Sequence, residues 1–225
     1  MAEAALRSGR NVSDVRLMAV TKTVDDDRLM EAIETGIDII GESYIQEAKR
    51  KIEKIGRPLE WHMIGHLQSN KVRYVIKLFD MIHSVDRMDL AVELDRRGKN
   101  AGQIMKILIE VNVSGEKTKS GVPLAEAVAL VRSVAALENL AICGLMTMPP
   151  WFEDPEEARP CFTALRDLKN RVMEEDIPGV NMYELSMGMS GDYEVAVEEG
   201  ATIVRIGTSL FGARPVKSFA QGGIT

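Results

Sequence analysis

Lys22 is the residue in this sequence whose position most directly suggests chemistry. It follows an apolar run, LMAV at residues 17–20, that predicts a buried strand, and it precedes three aspartates that favour the start of a helix. A lysine at such a corner can be held as a neutral amine, which attacks an aldehyde and forms a Schiff base. A lysine that extends from a strand end into water explains the same position. The residues around Lys22 therefore permit a reactive amine without requiring one.

Two later segments combine hydroxyl groups with glycines. SMGMSGD at residues 186–192 precedes a short predicted helix, and RIGT at residues 205–208 closes the last predicted strand. Glycines let backbone N–H groups approach an anion closely, so these segments predict a phosphate site, although ordinary turns use the same residues. Arg205 lies in the apolar part of that strand. Burying its guanidinium is costly unless it reaches the strand end or a partner, which favours a functional role.

The composition predicts one cytoplasmic globular domain. Apolar residues make up 45% of the 225 residues, enough to bury a full core, and the net charge of −6 argues against nucleic acid as a partner. Two cysteines and three histidines show no metal-ligand spacing, and no apolar run reaches the roughly 18 residues of a membrane span. We expect a single domain over residues 1–225, with a short lead-in at 1–14 and a tail at 215–225.

Strand and helix patterns alternate along most of the sequence. About eight apolar strands end in glycine or polar residues, and helical patterns connect them. This alternation predicts a closed (β/α)8 barrel, or TIM barrel, because no change of composition marks a second domain. The alternative is an open doubly wound sheet, whose usual glycine-rich first turn is missing.

A closed barrel would gather the residues that follow its strands around one mouth. In this prediction the residues that meet there are Lys22, Ser43, Asn70, Asn112, Met146, Ser186, Ser190 and Arg205. A lysine after the first strand would face the hydroxyls and glycines after the last two strands. That is the arrangement of a site for pyridoxal phosphate (PLP).

The motifs at these strand ends resemble those of the pyridoxal phosphate homeostasis protein family. The resemblance covers nearly the whole sequence, and its motifs are AVTKT (19–23), GESY (41–44), WHMIGHLQSNK (61–71), KSG (119–121), GLM (144–146), SMGMS (186–190) and RIGT (205–208). It implies the barrel of the alanine racemase N-terminal domain and a PLP cofactor.

The resemblance also implies roles for matching residues. Lys22 would hold PLP as a covalent aldimine, and Ser190, Gly207 and Thr208 would hold its phosphate. Arg205 would face the pyridine nitrogen as a hydrogen-bond donor, which makes the ring a weaker electron sink than a protonated pyridine would be.

Further residues complete the implied cofactor site. Ser186, Ser43 and Asn70 belong to the expected binding set, and Lys119 is a second lysine that the family pattern places near the site, where it would accept or relay the aldehyde. Ser43 departs from the asparagine that the family usually has at this position, so its contact with the cofactor or the lysine is in question.

The expected function is PLP binding for intracellular PLP homeostasis without efficient turnover. Related alanine racemases add a C-terminal β domain whose tyrosine faces the ring, and racemisation needs proton-transfer groups on both faces. A low-activity amino-acid racemase is the alternative, if Tyr44, His62 or a partner chain reaches the second face. A phosphate-sugar enzyme is a third option. Expected partners are PLP and apo PLP-dependent enzymes, without nucleic acid or membrane, and we expect a monomer.

Overall fold

The computed structural model describes residues 1–116 and 118–212 of the chain. Its strands are β1 (Arg16–Val20), β2 (Ile39–Glu42), β3 (Glu60–Met63), β4 (Met81–Val85), β5 (Met105–Asn112), β6 (Val122–Pro123), β7 (Leu140–Met146), β8 (Glu184–Ser186) and β9 (Ile203–Ile206). Its α-helices are α1 (Ala2–Arg7), α2 (Asp26–Glu34), α3 (Ile45–Ile55), α4 (Val72–Val75), α5 (Met88–Ala101), α6 (Ala127–Ala135), α7 (Arg159–Glu174), α8 (Tyr193–Glu198) and α9 (Thr208–Phe211). Short 3₁₀ turns cover Val12–Asp14, Ser69–Lys71 and Pro155–Ala158.

Eight of the strands form a closed barrel in which every neighbouring pair is parallel. The order around the ring is β1-β2-β3-β4-β5-β7-β8-β9, and β9 pairs with β1 to close it. The two-residue β6 lies outside the ring and pairs with the end of β5. The predicted (β/α)8 barrel is therefore confirmed, since the pairing of the first and last strands excludes an open doubly wound sheet.

Some element bounds differ from the sequence prediction. The sequence at 181–185 predicts a strand, but the strand begins only at Glu184, because the residues before it bond to β7 through the N–H of Asn181 without the repeated pairing that defines a strand. The sequence at 156–175 predicts one helix, but this segment begins as the 3₁₀ turn Pro155–Ala158, and its α-helical part starts at Arg159. Pro160 fits there because the first helical turn needs no N–H donor from it.

The main core lies between the strands and the helices around them. It contains the fully buried Trp61, Phe79 and Phe162. The helices contribute apolar residues at intervals of three or four; α5, for example, buries Leu90 and Leu94 on one face. A separate cluster joins Met18, Ile39 and Ile203, which lie on β1, β2 and β9.

Gly144 allows two barrel strands to approach each other closely. A Cβ atom at this position would lie 1.9 Å from the carbonyl oxygen of Glu184 on β8. The register between β5 and β7 shifts at the preceding residue, because Ile107 is opposite Ile142 whereas Leu108 is opposite Gly144. Glycine is required at this contact because any side chain would overlap the neighbouring backbone.

Candidate functional site

A cavity of about 550 Å³ opens at the carboxyl ends of the barrel strands. This volume lies in the range of about 300–1,000 Å³ that is typical of small-molecule sites. The residues that line it are Val20, Lys22, Ser43, Ile64, Gly65, His66, Glu110, Ser120, Met146, Met148, Trp151, Phe152, Pro155, Ala158, Met189, Ser190, Gly191, Asp192, Arg205, Gly207 and Thr208. The side chains that follow β1, β8 and β9 thus share one space, as the barrel prediction requires.

Lys22 lies in a tight turn that begins directly after β1. The N–H of Val24 donates to the carbonyl of Thr21 at 3.0 Å, so Lys22 and Thr23 are the two central residues of the turn. Lys22 is partly buried and lines the main cavity. It also lines an adjoining cavity of about 140 Å³ together with Gly207 and Thr208. The lysine is therefore at the lip of the barrel, beside the loop that follows β9.

Ser190 is the point at which the loops after β8 and β9 meet. Its Oγ accepts hydrogen bonds from the backbone N–H groups of Gly207 and Ser209, both at 3.3 Å. Two backbone donors and a hydroxyl thus converge at the rim of the cavity. Such a group of donors can bind the oxygens of a phosphate.

Arg205 extends from β9 to the cavity and is 5% exposed. Its guanidinium donates to Ser186 Oγ at 2.9 Å and to the carbonyl of Thr147 at 2.8 Å. Burial lowers the pKa of Arg205 to about 10, and the nearby carboxyls of Asp192 and Glu110 oppose this shift. The arginine therefore remains a cation at neutral pH and is held in one orientation by two acceptors.

A line of hydrogen-bonded side chains continues from Ser186 away from the cavity. Ser186 Oγ lies 3.0 Å from His83 Nδ1, His83 Nε2 lies 3.0 Å from His62 Nδ1, and His62 Nε2 lies 2.9 Å from Glu60. Burial lowers the pKa of His83 well below its usual value, and the cations Arg205 and Arg16 act in the same direction, so the imidazole of His83 is neutral. Because Ser186 already accepts from Arg205, its hydroxyl donates to His83, and each imidazole then donates to the next group.

Glu60 terminates this line at the other end of the barrel. The hydrogen bond from His62 and the ion pair with Arg16 at 3.0 Å lower its pKa to about 2. We refer to Arg205, Ser186, His83, His62 and Glu60 as the polar line. The sequence analysis named His62 only as a proton-transfer group for a racemase and overlooked His83, although a histidine within the largely apolar strand MIHSV was a usable signal.

Glu110 is a second residue that the sequence analysis overlooked. It lies on β5, is 5% exposed and lines the cavity, and its Oε2 has no hydrogen-bond partner among the described residues. Burial raises the pKa of Glu110 to about 7, the charge of Asp86 raises it further, and Arg205 acts in the opposite direction. This carboxyl is therefore partly protonated at neutral pH. A carboxylate within the apolar run KILIEVN was the signal for it.

The structure places the predicted site residues in three groups. Those that line the cavity are Lys22, Ser43, Met146, Ser190, Arg205, Gly207 and Thr208. Ser186 lies beneath it as the partner of Arg205. Asn70 is exposed on the 3₁₀ turn Ser69–Lys71 and does not line the cavity. The roles assigned to these residues in cofactor binding stay predictions.

Two further residues from the sequence analysis lie near the mouth. Asn112 bonds within its own loop, because its side chain donates to the carbonyl of Glu116 and accepts from the N–H of Gly115. Lys119 reaches the carbonyl of Met148 at 3.4 Å, and its neighbour Ser120 lines the cavity. Lys119 therefore lies at the edge of the site.

The two side chains expected to serve a racemase lie outside the cavity lining. Tyr44 is 59% exposed and lines a different depression with Gln46 and Lys71. His62 is buried within the polar line. Neither therefore supplies the second proton-transfer group that racemisation needs.

Nothing in the described residues suggests a metal site or a membrane span. No group of three or more histidine, cysteine, aspartate or glutamate side chains in residues 1–116 and 118–212 could hold a metal ion. In that part of the chain, no helix is both long enough and apolar enough to cross a membrane. The chemistry available at the cavity is that of an amine, a fixed guanidinium, a buried carboxyl and a set of backbone donors.

Known proteins of one family resemble this chain over most of its length. Residues 4–215 match the family described as alanine racemase, N-terminal domain. A protein of Aquifex aeolicus named pyridoxal phosphate homeostasis protein is 44% identical over 213 residues, which cover 94% of this chain and 92% of that protein. The structure of PipY from Synechococcus elongatus with PLP bound is 36% identical, with a TM-score of 0.83, and the match covers 93% of this chain and 98% of PipY.

A more distant solved structure matches in fold. Alanine racemase from Clostridium difficile is 15% identical with a TM-score of 0.73, and the match covers 91% of this chain and 54% of the racemase. At this identity the likeness concerns the barrel alone. It confirms the expected similarity to the barrel of alanine racemases.

Proposed function

Because the chain belongs to the pyridoxal phosphate homeostasis protein family, we propose that it binds PLP in the barrel cavity and serves PLP homeostasis. One observation carries the proposal. Lys22, the donors at Ser190 and the guanidinium of Arg205 all line the same cavity. An amine for an aldehyde, backbone donors for a phosphate and a fixed cation beside them match the functional groups of PLP.

The donor set fits the cofactor group by group. Lys22 would hold the aldehyde carbon as a Schiff base, while Ser190, Gly207 and Thr208 would hold the phosphate. Arg205 would donate to the ring nitrogen, and its two acceptors, Ser186 and Thr147, keep it directed there. When bound, the cofactor supplies an electrophilic aldehyde and an electron-accepting ring. Arg205 limits the second property because it does not deliver a proton to the ring nitrogen.

We further propose that the protein holds PLP without efficient turnover. The positions of Tyr44 and His62, outside the cavity lining, favour this over a racemase. The homologues bear the name of a homeostasis protein, which is consistent with this view. Transfer to apo PLP-dependent enzymes, a monomeric state and a cytoplasmic location stay predictions.

The first experiment compares the purified wild-type protein with Lys22→Ala. With PLP added, the wild type should develop the absorbance band of a protonated Schiff base, and borohydride should fix the cofactor on the peptide that contains Lys22. Lys22→Ala should lose both. Lys49→Ala is the matched control, because it removes an exposed lysine that does not line the cavity, and this variant should keep the band.

Three outcomes would contradict the proposal. Fixation spread over many surface lysines, or no band in the wild type, would favour a phosphate-sugar enzyme on the same barrel. Exchange of the Cα proton of amino acids in deuterated water, faster than with free PLP, would favour a racemase instead. We expect no such exchange above the rate of free PLP.

A further inference from the structure

Lys51 is a lysine on α3 whose side chain is fully buried. Its Nζ donates to the carbonyl of Thr21 at 2.5 Å, to Glu42 Oε1 at 2.6 Å and to Glu47 Oε1 at 2.8 Å. These contacts use all three donors of an ammonium group. A buried cation persists in a folded protein when it is paired and fully hydrogen-bonded, so this arrangement accounts for the burial of Lys51.

The partners of Lys51 lie on both sides of Lys22 in the chain. Thr21 precedes Lys22, and its carbonyl is bound directly by the ammonium. Thr23 follows Lys22, and its N–H donates to Glu47 Oε1 at 2.7 Å, the same oxygen that Lys51 contacts. The backbone before and after Lys22 is thereby attached to one buried charged group.

Glu42 strengthens the attachment on the side of Thr21. Its Oε1 accepts both the ammonium of Lys51 and the hydroxyl of Thr21, the latter at 2.5 Å. Thr21 and Glu42 are both fully buried. The bonds are therefore shielded from competing water, which makes each of them stronger than on the surface.

The turn that holds Lys22 has an unusual backbone. Thr23, its third residue, has a φ of +65°. A β-branched residue with positive φ is strained, and turns of this kind ordinarily place glycine or asparagine there. A strained backbone persists only where surrounding contacts determine it. Residues with such strain are concentrated at functional sites. Lys51 and its two carboxylates supply contacts of this kind.

We propose that Lys51 is a positioning residue for Lys22, because it fixes the strained turn and thereby directs the Lys22 amine toward the groups that hold the phosphate. This inference rests on the proposed PLP site. Lys51 itself does not line the cavity, so it acts through the backbone of Thr21 and Thr23.

The first test follows Schiff-base formation with PLP in Lys51→Met. We expect the rate of band formation, and of borohydride fixation on the Lys22 peptide, to fall at least tenfold. Lys49→Met is the matched control, because it removes a lysine whose side chain is 64% exposed on the same helix. Its rate should equal that of the wild type.

A second readout needs no cofactor. Amide hydrogen exchange of Thr23 and Val24 should rise at least tenfold in Lys51→Met, because both N–H groups bond within the network or the turn. The amide of Ile82, on β4, should keep its protection, which separates local loosening of the turn from global unfolding. Unchanged exchange at Thr23 and Val24 would overturn the proposal.

Two additional variants keep the test decisive. Lys51→Met combined with Glu42→Gln removes both buried charges, and it replaces the single variant if unpaired Glu42 prevents folding. Thr23→Gly in the Lys51→Met background should restore most of the lost rate, because glycine adopts this φ without strain. If it restores none, or if Lys51→Met reacts at the wild-type rate, Lys51 is not a positioning residue. If wild type forms no adduct at Lys22, the proposed function fails, while hydrogen exchange still decides whether Lys51 fixes the turn.

Discussion

Glu110 is a titratable residue at the wall of the cavity. Among the described residues, its Oε2 has no hydrogen-bond partner. Its pKa of about 7 lies above the ordinary value of 4.5, mainly because of burial. At a pH between 4.5 and about 7, Glu110 keeps a proton in the folded protein that it has lost in the unfolded chain. Stability therefore falls as pH rises through this interval, and the loss is complete above the folded pKa.

Glu110→Gln should remove this pH dependence. From pH 5 to pH 8 the wild type should lose up to about 3 kcal/mol of unfolding free energy relative to the variant, since each pKa unit corresponds to about 1.4 kcal/mol. Urea unfolding at the two pH values measures the difference. Glu138→Gln, at an exposed position, controls for the removal of a negative charge. If the unfolding free energies of wild type and Glu110→Gln differ by the same amount at both pH values, Glu110 does not have the raised pKa.

The sequence predicted some of the site residues and not others for identifiable reasons. Lys22 and Arg205 stood out because each carries charge next to an apolar strand, and strand ends meet at one mouth in a barrel. Lys51 gave no such signal, because its helix is rich in exposed lysine and glutamate. Its burial depends on which helix turn faces β1 and β2, and that is decided by tertiary packing. His83 and Glu110 likewise become meaningful only when their neighbours on other strands are known.

At the scale of elements, β7 and β8 lie so close together that a side chain at Gly144 would prevent their pairing. Gly144 on β7 faces the backbone of Glu184 on β8, and Ser186, at the end of β8, accepts from Arg205. The approach of β7 and β8 is therefore linked to the orientation of Arg205 at the cavity. The apolar sequence at 140–146 predicts a strand with the bounds that β7 has, but the shift in register at Gly144 is not visible in the sequence.

Gly144→Ala should destabilise the fold by about 3 kcal/mol or more, because the new methyl group overlaps a backbone oxygen that cannot move independently of its strand. Gly102→Ala is the control, since Gly102 has a φ of +62° but open space around it. It should cost only about 1 kcal/mol. Thermal or urea unfolding measures both. Similar losses for the two variants would mean that the β7–β8 contact relaxes easily.

At the scale of the whole molecule, ion pairs connect elements that are far apart in sequence. Arg159 contacts Glu156 at 2.7 Å, Glu198 at 2.7 Å and Glu199 at 2.8 Å, and thereby joins α7 to α8. Arg7 on α1 pairs with Glu198 at 2.9 Å. The N-terminal helix is thus tied to the last third of the chain through shared carboxylates.

Arg159→Met should lower the unfolding free energy by about 1 kcal/mol, because it removes three ion pairs from a shared network. The loss should shrink in about 1 M sodium chloride, which screens partly exposed charges. Arg132→Met is the comparison, because Arg132 pairs with Glu175 alone among the ion pairs of the described residues and both side chains are exposed. It should change stability by less than about 0.5 kcal/mol. Urea unfolding with and without salt checks the expectation.

The pairing of β1 with β9 has a consequence for the order in which the protein is made. Lys22 leaves the ribosome before Arg205, Gly207 and Thr208, which are added about 180 residues later. Until β9 has emerged, β1 lacks one of its two neighbours, and the cavity lacks one wall. A nascent chain can therefore form helices and early strand pairs, but it cannot assemble the site. Capture of a ligand by the complete cavity would then distinguish chains in which β9 has joined the barrel from those in which it has not.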